Sequence, residues 1–329
     1  MSDETAVAYE PTQGPSRLPL PASVRKDKIL WPYFLGIVGF HLLALFALVP
    51  WLFSWTGVAL ALCGLYFFGT LGINLCYHRL LTHKGLSLPK WLEHAFALIG
   101  VCCLQDTPAR WVAVHRLHHQ HSDEQEDPHS PLVSFFWSHF GWLLVTNQEL
   151  QRLTMYERYS RDILRDRFYL NMERHGMWVW VNVAHWLAFY LAGFGAGWAL
   201  YGTVMDGVQF GLSLLVWGVV VRTVLVWHIT WSVNSVTHMW GYRNYETDER
   251  SRNNIVVGLL SNGEGWHNNH HADPRSACHG HRWWEFDVSY LTIQALELVG
   301  LARDVVKPNL KIAARHGALV TRDIQDMGE

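Results

Sequence analysis

The stretch "ILWPYFLGIVGFHLLALFALVPWLF", residues 29–53, decides the architecture. It contains no charged side chain, and it is longer than a helix needs to cross the ~30 Å apolar core of a bilayer. The charged run "RKDK", residues 25–28, stands directly before it. A second such stretch, "TGVALALCGLYFFGTLGINL" at 56–75, follows a link, "VPWLFSW", that is uncharged and carries two tryptophans. Tryptophan favours the membrane–water boundary, so the link reads as an interfacial turn. Two more apolar stretches lie downstream, "MWVWVNVAHWLAFYLAGFGAGWAL" at 177–200 and "VQFGLSLLVWGVVVRTVLVW" at 208–227, joined by a connection with one charge, Asp206.

The composition agrees with this reading. Half of the 329 residues are apolar, only 16% are charged, and there are 18 tryptophans, yet the chain also has long polar regions. That balance describes a few membrane spans carrying a sizeable water-facing portion. A formal net charge of −2 gives no footing for a nucleic-acid partner. Cys63, Cys76, Cys102, Cys103 and Cys278 are odd in number and sit in mostly apolar settings, as reduced thiols do.

Four spans make two hairpins, which leaves the first residues, the middle third and the C-terminal third on one side. Most lysines and arginines lie in those segments, so that side is expected to be cytoplasmic, active site and both termini included. The expected fold class is therefore all-α: a membrane protein with four transmembrane helices in two hairpins and a cytoplasmic helical cap. Residues 1–24 are expected to form a disordered tail, 25–302 the membrane domain and 303–329 a C-terminal tail. An apolar island, "HAFALIGVCCL" at 94–104, is too short to span and reads as a helix buried in protein or lying at the interface.

The 20 histidines are the chemical signal. They cluster as "HRLLTH" at 78–83, "HRLHH" at 115–119 and "HNNHH" at 267–271, each beyond a hairpin, with His238 in "NSVTH". In a helix, positions i, i+3 and i+4 share a face, so His115, His118 and His119 project together, as do His267, His270 and His271. His78 and His83 are five apart and need a helix end or bend to converge. Imidazole suits iron, zinc and copper, and nine of them exceed the four ligands one zinc takes. Two metals with four or five nitrogens each would use them all. Chance clustering of surface or core histidines explains one such box, not three on one side of the membrane.

These boxes, with "EDPHSP", "FFWSHFGWLL", "TWSVNSVTH", "GYRNYE" and "GEGWHNNHH", resemble the membrane fatty acyl desaturases over about residues 30–300. Within that superfamily they are similar to the delta-9 branch, the stearoyl-CoA and cyanobacterial acyl-lipid desaturase type. The resemblance implies two iron ions. One would take His78, His83, His115, His119 and His270; the other would take His118, His238, His267 and His271, with Asn234 reaching it through water. It also implies that O2 and two electrons convert a long-chain saturated acyl substrate to a cis olefin. Trp111, Gln105 and Thr230, beside Trp231, would hold the bend of that chain. Trp111 taken alone reads as an interface anchor. Glu264 and Asp127 are candidates to orient imidazoles by hydrogen bonds, or else a helix cap and a solvated charge. Arg222, inside the fourth span, receives no catalytic role.

Two positions depart from the animal acyl-coenzyme A enzymes. Ala113-Val114 stands where those carry Arg-Asp, and Thr146-Asn147 where they carry a basic pair. Coenzyme A is strongly anionic and favours Arg and Lys partners, so the carrier is expected to be a membrane lipid ahead of coenzyme A, with Arg152 and Arg158 as compensating cations in the other case. The chain has no "HPGG" heme stretch, so a separate donor, a ferredoxin or a cytochrome b5-like protein, is expected. Two competing functions are a hydroxylase or ketolase with the same boxes, and a membrane metal transporter or sensor. Transport asks for polar groups along the spans, whereas these clusters lie outside them.

Overall fold

The computed structural model describes residues 17–309. Among the described residues, four helices are long and apolar enough to cross a membrane: Trp31–Leu48, Trp55–Thr82, Met177–Tyr201 and Val204–His238. Local chemistry sets their ends. Pro32 opens the first, where its missing N–H would have no partner, and Val49 turns extended before Pro50. The Ser54 hydroxyl accepts from the Gly57 amide to start the second. Gly202, at φ +91°, ends the third, and a reciprocal Thr203–Asp206 capping box starts the fourth.

The spans differ in how much they bury. Only 6% and 11% of the apolar windows of the first and third are buried, against 44% and 67% for the second and fourth. The second and fourth are thus the inner pair, and the outer two turn apolar faces outward. The third and fourth run antiparallel with glycines at their closest approach. A Cβ on Gly193 would lie 2.8 Å from the Gly211 Cα, and one on Gly197 only 2.6 Å from the Asp206 carbonyl oxygen. The first span packs on the fourth through Phe40 and Trp227, rings 5.4 Å apart.

The fourth span has 35 residues, roughly 50 Å at the helical rise, well beyond the ~30 Å apolar core. Its last turns carry His238 out to the cap. The second span does the same for His78 and His83, and its winding changes on the way. From Leu65 to Thr82 it is a π-helix, a winding frequent at functional sites.

The apolar island at 94–104 belongs to a helix, Lys90–Val101. It is buried against the second span, where Gly100 and Gly72 meet backbone to backbone. The expectation of an all-α chain needs one correction. Val24–Ile29 pairs antiparallel with Val145–Asn147 in a two-stranded ribbon. The exposed, charged "RKDK" stretch cannot bury a helical face, and an edge pairing satisfies its backbone instead. The expected tails fall largely on residues 1–16 and 310–329, outside the described residues. Of the rest, the Leu18 amide donates to the Leu132 carbonyl, the Val306 amide donates to the Gly85 carbonyl, and the Val306 carbonyl accepts from the Ala277 amide, the last two at 2.8 Å.

Candidate metal centre

The box histidines sit on four segments that converge at one end of the inner spans. His78 and His83 come from the end of the second span, where the His83 amide donates to the His78 carbonyl at 3.1 Å. This i→i+5 bond brings the two rings together, centroids 4.8 Å apart, with no break in the helix. The helix Pro108–His121 supplies His115, His118 and His119, a 3-10 turn at the end of the fourth span supplies His238, and His267–Ala272 supplies the rest.

Six residues are too few for an independently stable helix, and the "NN" of the last box explains how this one is held. The Asn268 Oδ1 accepts from the amides of Asn244 and Tyr245, both at 2.8 Å. The Asn269 amide group donates to Glu285 and to the His279 carbonyl, and its oxygen accepts from Asn244 and Asn253. "GEG" is equally constrained: a Cβ on Gly265 would lie 2.1 Å from the Gly258 nitrogen.

The nine rings fall into two groups. His78, His83, His115, His119 and His270 bring five ligand nitrogens within 4.8 Å of one another, and His118, His238, His267 and His271 bring four. In the first, the Nε2 atoms of His78 and His270 are 3.1 Å apart, His270 and His119 3.0 Å, His119 and His115 3.1 Å. In the second, His238 to His267 and His267 to His271 are both 3.1 Å.

Carboxylates fix which nitrogens carry protons. The His78 Nδ1–H donates to Glu264 at 2.6 Å, His118 to Asp127 at 3.1 Å and His238 to Asp123 at 3.0 Å. Glu249 lies 3.7 Å from the His271 Nδ1. With Nδ1 protonated, a neutral ring presents a bare lone pair at Nε2. Burial, and then the neighbouring imidazoles, push His83, His115, His119, His267, His270 and His271 well below the ordinary histidine value, so these rings are neutral.

Burial alone would raise Glu264, but Arg79 with His279 and His78 hold it well below the usual carboxylate range. Asp127, raised by burial, is likewise held low by His118 and His129. Arg79, 0% exposed, pairs with Glu264 at 2.8 Å and Asp287 at 2.9 Å. Ring nitrogens that converge at 3.0–3.1 Å, backed by several carboxylates and one guanidinium, form a donor set suited to cations. Nitrogens about 2.1 Å from one ion and at right angles stand about 3 Å apart. The donor set fits two transition-metal ions with imidazole ligands and disfavours calcium or magnesium, which take oxygen.

Of the other expected site residues, Glu264 and Asp127 are the partners of His78 and His118. Gln105, Trp111, Thr230, Trp231 and Asn234 all line one cleft that reaches His115. Gln105 donates to Thr230 at 3.0 Å, and Trp111 stacks on His115 with centroids 4.9 Å apart. Asn234 lines the cleft, and its backbone carbonyl accepts from Ser138. Sequence reasoning missed Asp123, Glu249, Arg79 and His279, whose ring lies 4.4 Å from that of His270. The acidic run after the second box was the visible signal for Asp123. Nothing in the spacing marks Glu249. Arg222 is structural: it donates to the Gly218 and Cys102 carbonyls and lies 3.9 Å over the Phe68 ring.

A fold of four spans under two histidine clusters beside an apolar cleft is the architecture of a membrane-bound, metal-dependent lipid oxidoreductase. Residues 50–287 match the fatty acid desaturase family. An sn-1 stearoyl-lipid 9-desaturase from Anabaena variabilis is 41% identical over 284 residues, 86% of this chain and 96% of that protein. An sn-2 palmitoyl-lipid 9-desaturase from Nostoc sp. (strain 36) is 42% identical, covering 83% of this chain and 88% of its own. An acyl-CoA C20 Delta5-desaturase from Anemone leveillei is 37% identical over 94% of each. The chain belongs to the fatty acid desaturase family and is an oxidoreductase.

Proposed function

We propose that the protein inserts a cis double bond at the delta-9 position of a saturated chain esterified to a membrane lipid, using two irons held by the nine histidines. The balance is one O2, two electrons and two protons in, one alkene and two waters out. When bound, the irons supply the oxidising power that an unactivated methylene demands and no side chain provides.

The chain's own residues do the rest. Asp123, Asp127 and Glu264 keep the ring protons on Nδ1 and so keep Nε2 available. Asn234, which lines the cleft, would reach the second ion through water. Trp111, Gln105, Thr230 and Trp231 seat the acyl chain, dry and bent, against His115. The two hairpins leave the cap and both termini on the cytoplasmic side, where a separate ferredoxin or cytochrome b5-like donor delivers electrons. The observation that carries this reading is the placement of two imidazole clusters beside a tryptophan-lined apolar cleft.

The lipid carrier follows from Ala113 and Val114. Both are buried with Leu117, Leu150 and Met155, so no coenzyme A phosphate reaches a charge there. The relatives named for stearoyl-lipid and palmitoyl-lipid substrates support the same choice. Expression in a desaturase-deficient host, with lipids resolved by class and double-bond position, tests it. A delta-9 olefin in glycerolipid is expected. Unchanged saturated lipids from iron-loaded protein with a working donor would refute it, and an added hydroxyl would reassign the chemistry.

A further inference from the structure

Three imidazoles outside the metal centre form a chain across three elements. His41, in the first span, donates from Nδ1 to the Ile37 carbonyl at 2.7 Å. Its Nε2 lies 3.0 Å from the Nε2 of His228 in the fourth span. The Nδ1 of His228 lies 3.0 Å from the Nε2 of His139, in the helical turn Trp137–Gly141. The His139 Nδ1 meets the Ser235 hydroxyl at 2.9 Å. His228 uses its two nitrogens in opposite directions, so one ion cannot bind all three rings. This is a hydrogen-bonded chain, unlike the convergent Nε2 clusters.

A carbonyl only accepts, so His41 carries its proton on Nδ1 and its Nε2 is bare. His228 then donates from Nε2 to His41 and turns its Nδ1 toward the His139 Nε2, while the Ser235 hydroxyl donates to the Trp231 carbonyl and accepts from the His139 Nδ1. His228 is exposed and His41 half-buried on the outer side of the spans, where an unpaired polar group facing lipid is expensive.

The chain joins the elements that wall the acyl cleft. Ile37 and Tyr33 come from the first span, Trp227 and Trp231 from the fourth, and Trp142 and Leu143 follow Gly141. The third and fourth spans are locked by backbone contact at their glycines. The first and fourth are closed here by side-chain bonds that are individually weak. We propose that the seam closed by His41, His228 and His139 is the lateral doorway of the cleft. A glycerolipid acyl chain slides in between the first and fourth spans when His228 releases its neighbours. This rests on the lipid-carrier reading above: such a chain already lies in the bilayer, and sideways passage keeps it out of water.

The test uses full-length, iron-loaded enzyme with its reductant in vesicles of saturated glycerolipid. His41→Cys/His228→Cys, in a background with the exposed Cys63 changed to serine, is bridged by a short bifunctional thiosulfonate. Bridged before meeting substrate, it is expected to lose tenfold or more of its rate. Bridged with substrate present, it should form at most one product per enzyme, and reduction should restore both. His228→Leu, which removes the bonds and keeps the bulk apolar, should retain iron and form product at least as fast at low substrate. Unchanged turnover by the bridged enzyme overturns the doorway, as does loss of product in iron-replete His228→Leu. No product from unbridged enzyme would instead reject the lipid-desaturase reading.

Discussion

The His83 amide donates to the His78 carbonyl five residues back, and that single bond brings the two ends of the first box onto one site. A regular i→i+4 helix would carry residues five apart onto different faces. The π winding from Leu65 to Thr82 turns an awkward spacing into a ligand pair.

His270 stands between His78 and His119 in the first cluster, 3.1 and 3.0 Å from their Nε2 atoms. His270→Ala should lose product by about 100-fold or more while still inserting in membranes, because the ion loses a central ligand. Iron per protein should fall from two toward one. Full iron and activity in the variant would remove His270 from the ligand set.

Asp123, in the acidic run after the second box, holds the His238 Nδ1–H at 3.0 Å. Asp123→Asn keeps the volume and removes the charge that fixes the ring. Iron affinity at the second cluster should fall roughly 10–100-fold, read as faster iron loss to a chelator. An unaltered chelation rate would show that the contact is incidental.

Gln105 donates to Thr230 across the cleft. Gln105→Ala should leave iron content intact, cut product by roughly 10–100-fold through misplacement of the chain, and broaden the double-bond position. A clean delta-9 product at full rate would free this pair of any role in the bend.

Ala113 is 0% exposed, so restoring a cation there does not restore a coenzyme A site. Ala113→Arg should destabilise the protein by about 3 kcal/mol or more, the penalty of an uncompensated buried charge, seen as a lower melting temperature in detergent. Gain of acyl-CoA activity at normal stability would contradict the burial argument.

Acidity should act through the cluster imidazoles. The folded values of His115, His119, His267, His270 and His271 are depressed by burial, then by neighbouring rings, while unfolded histidine titrates near 6.5. Below about pH 6.5 the unfolded chain takes up protons that the folded chain refuses, so stability falls as pH drops through that value and is fully present above it. The melting temperature of metal-stripped protein should therefore decline from pH 7.5 to 5.5. A rise over the same interval would mean these rings are protonated in the fold.

Much of this protein was legible in one dimension. Four apolar stretches, long enough for a bilayer's apolar core and carrying only Arg222 between them, predict four spanning helices, because hydrophobic length is a local property. The boxes predict metal for a similar reason: i, i+3, i+4 spacing sets a face before any tertiary contact forms. The ribbon at Val24–Ile29 was not legible, since its partner strand lies more than a hundred residues away. The split of nine histidines into five and four came from family resemblance alone, because His118 and His119 are neighbours in sequence yet face different clusters. Asp123, Glu249 and the Gly72–Gly100 contact are likewise products of packing. Span length and box spacing are written in the chain by helix geometry. Which nitrogen faces which, and which carboxylate holds its proton, is decided only when the second and fourth spans carry their ends past the membrane and the cap closes over them.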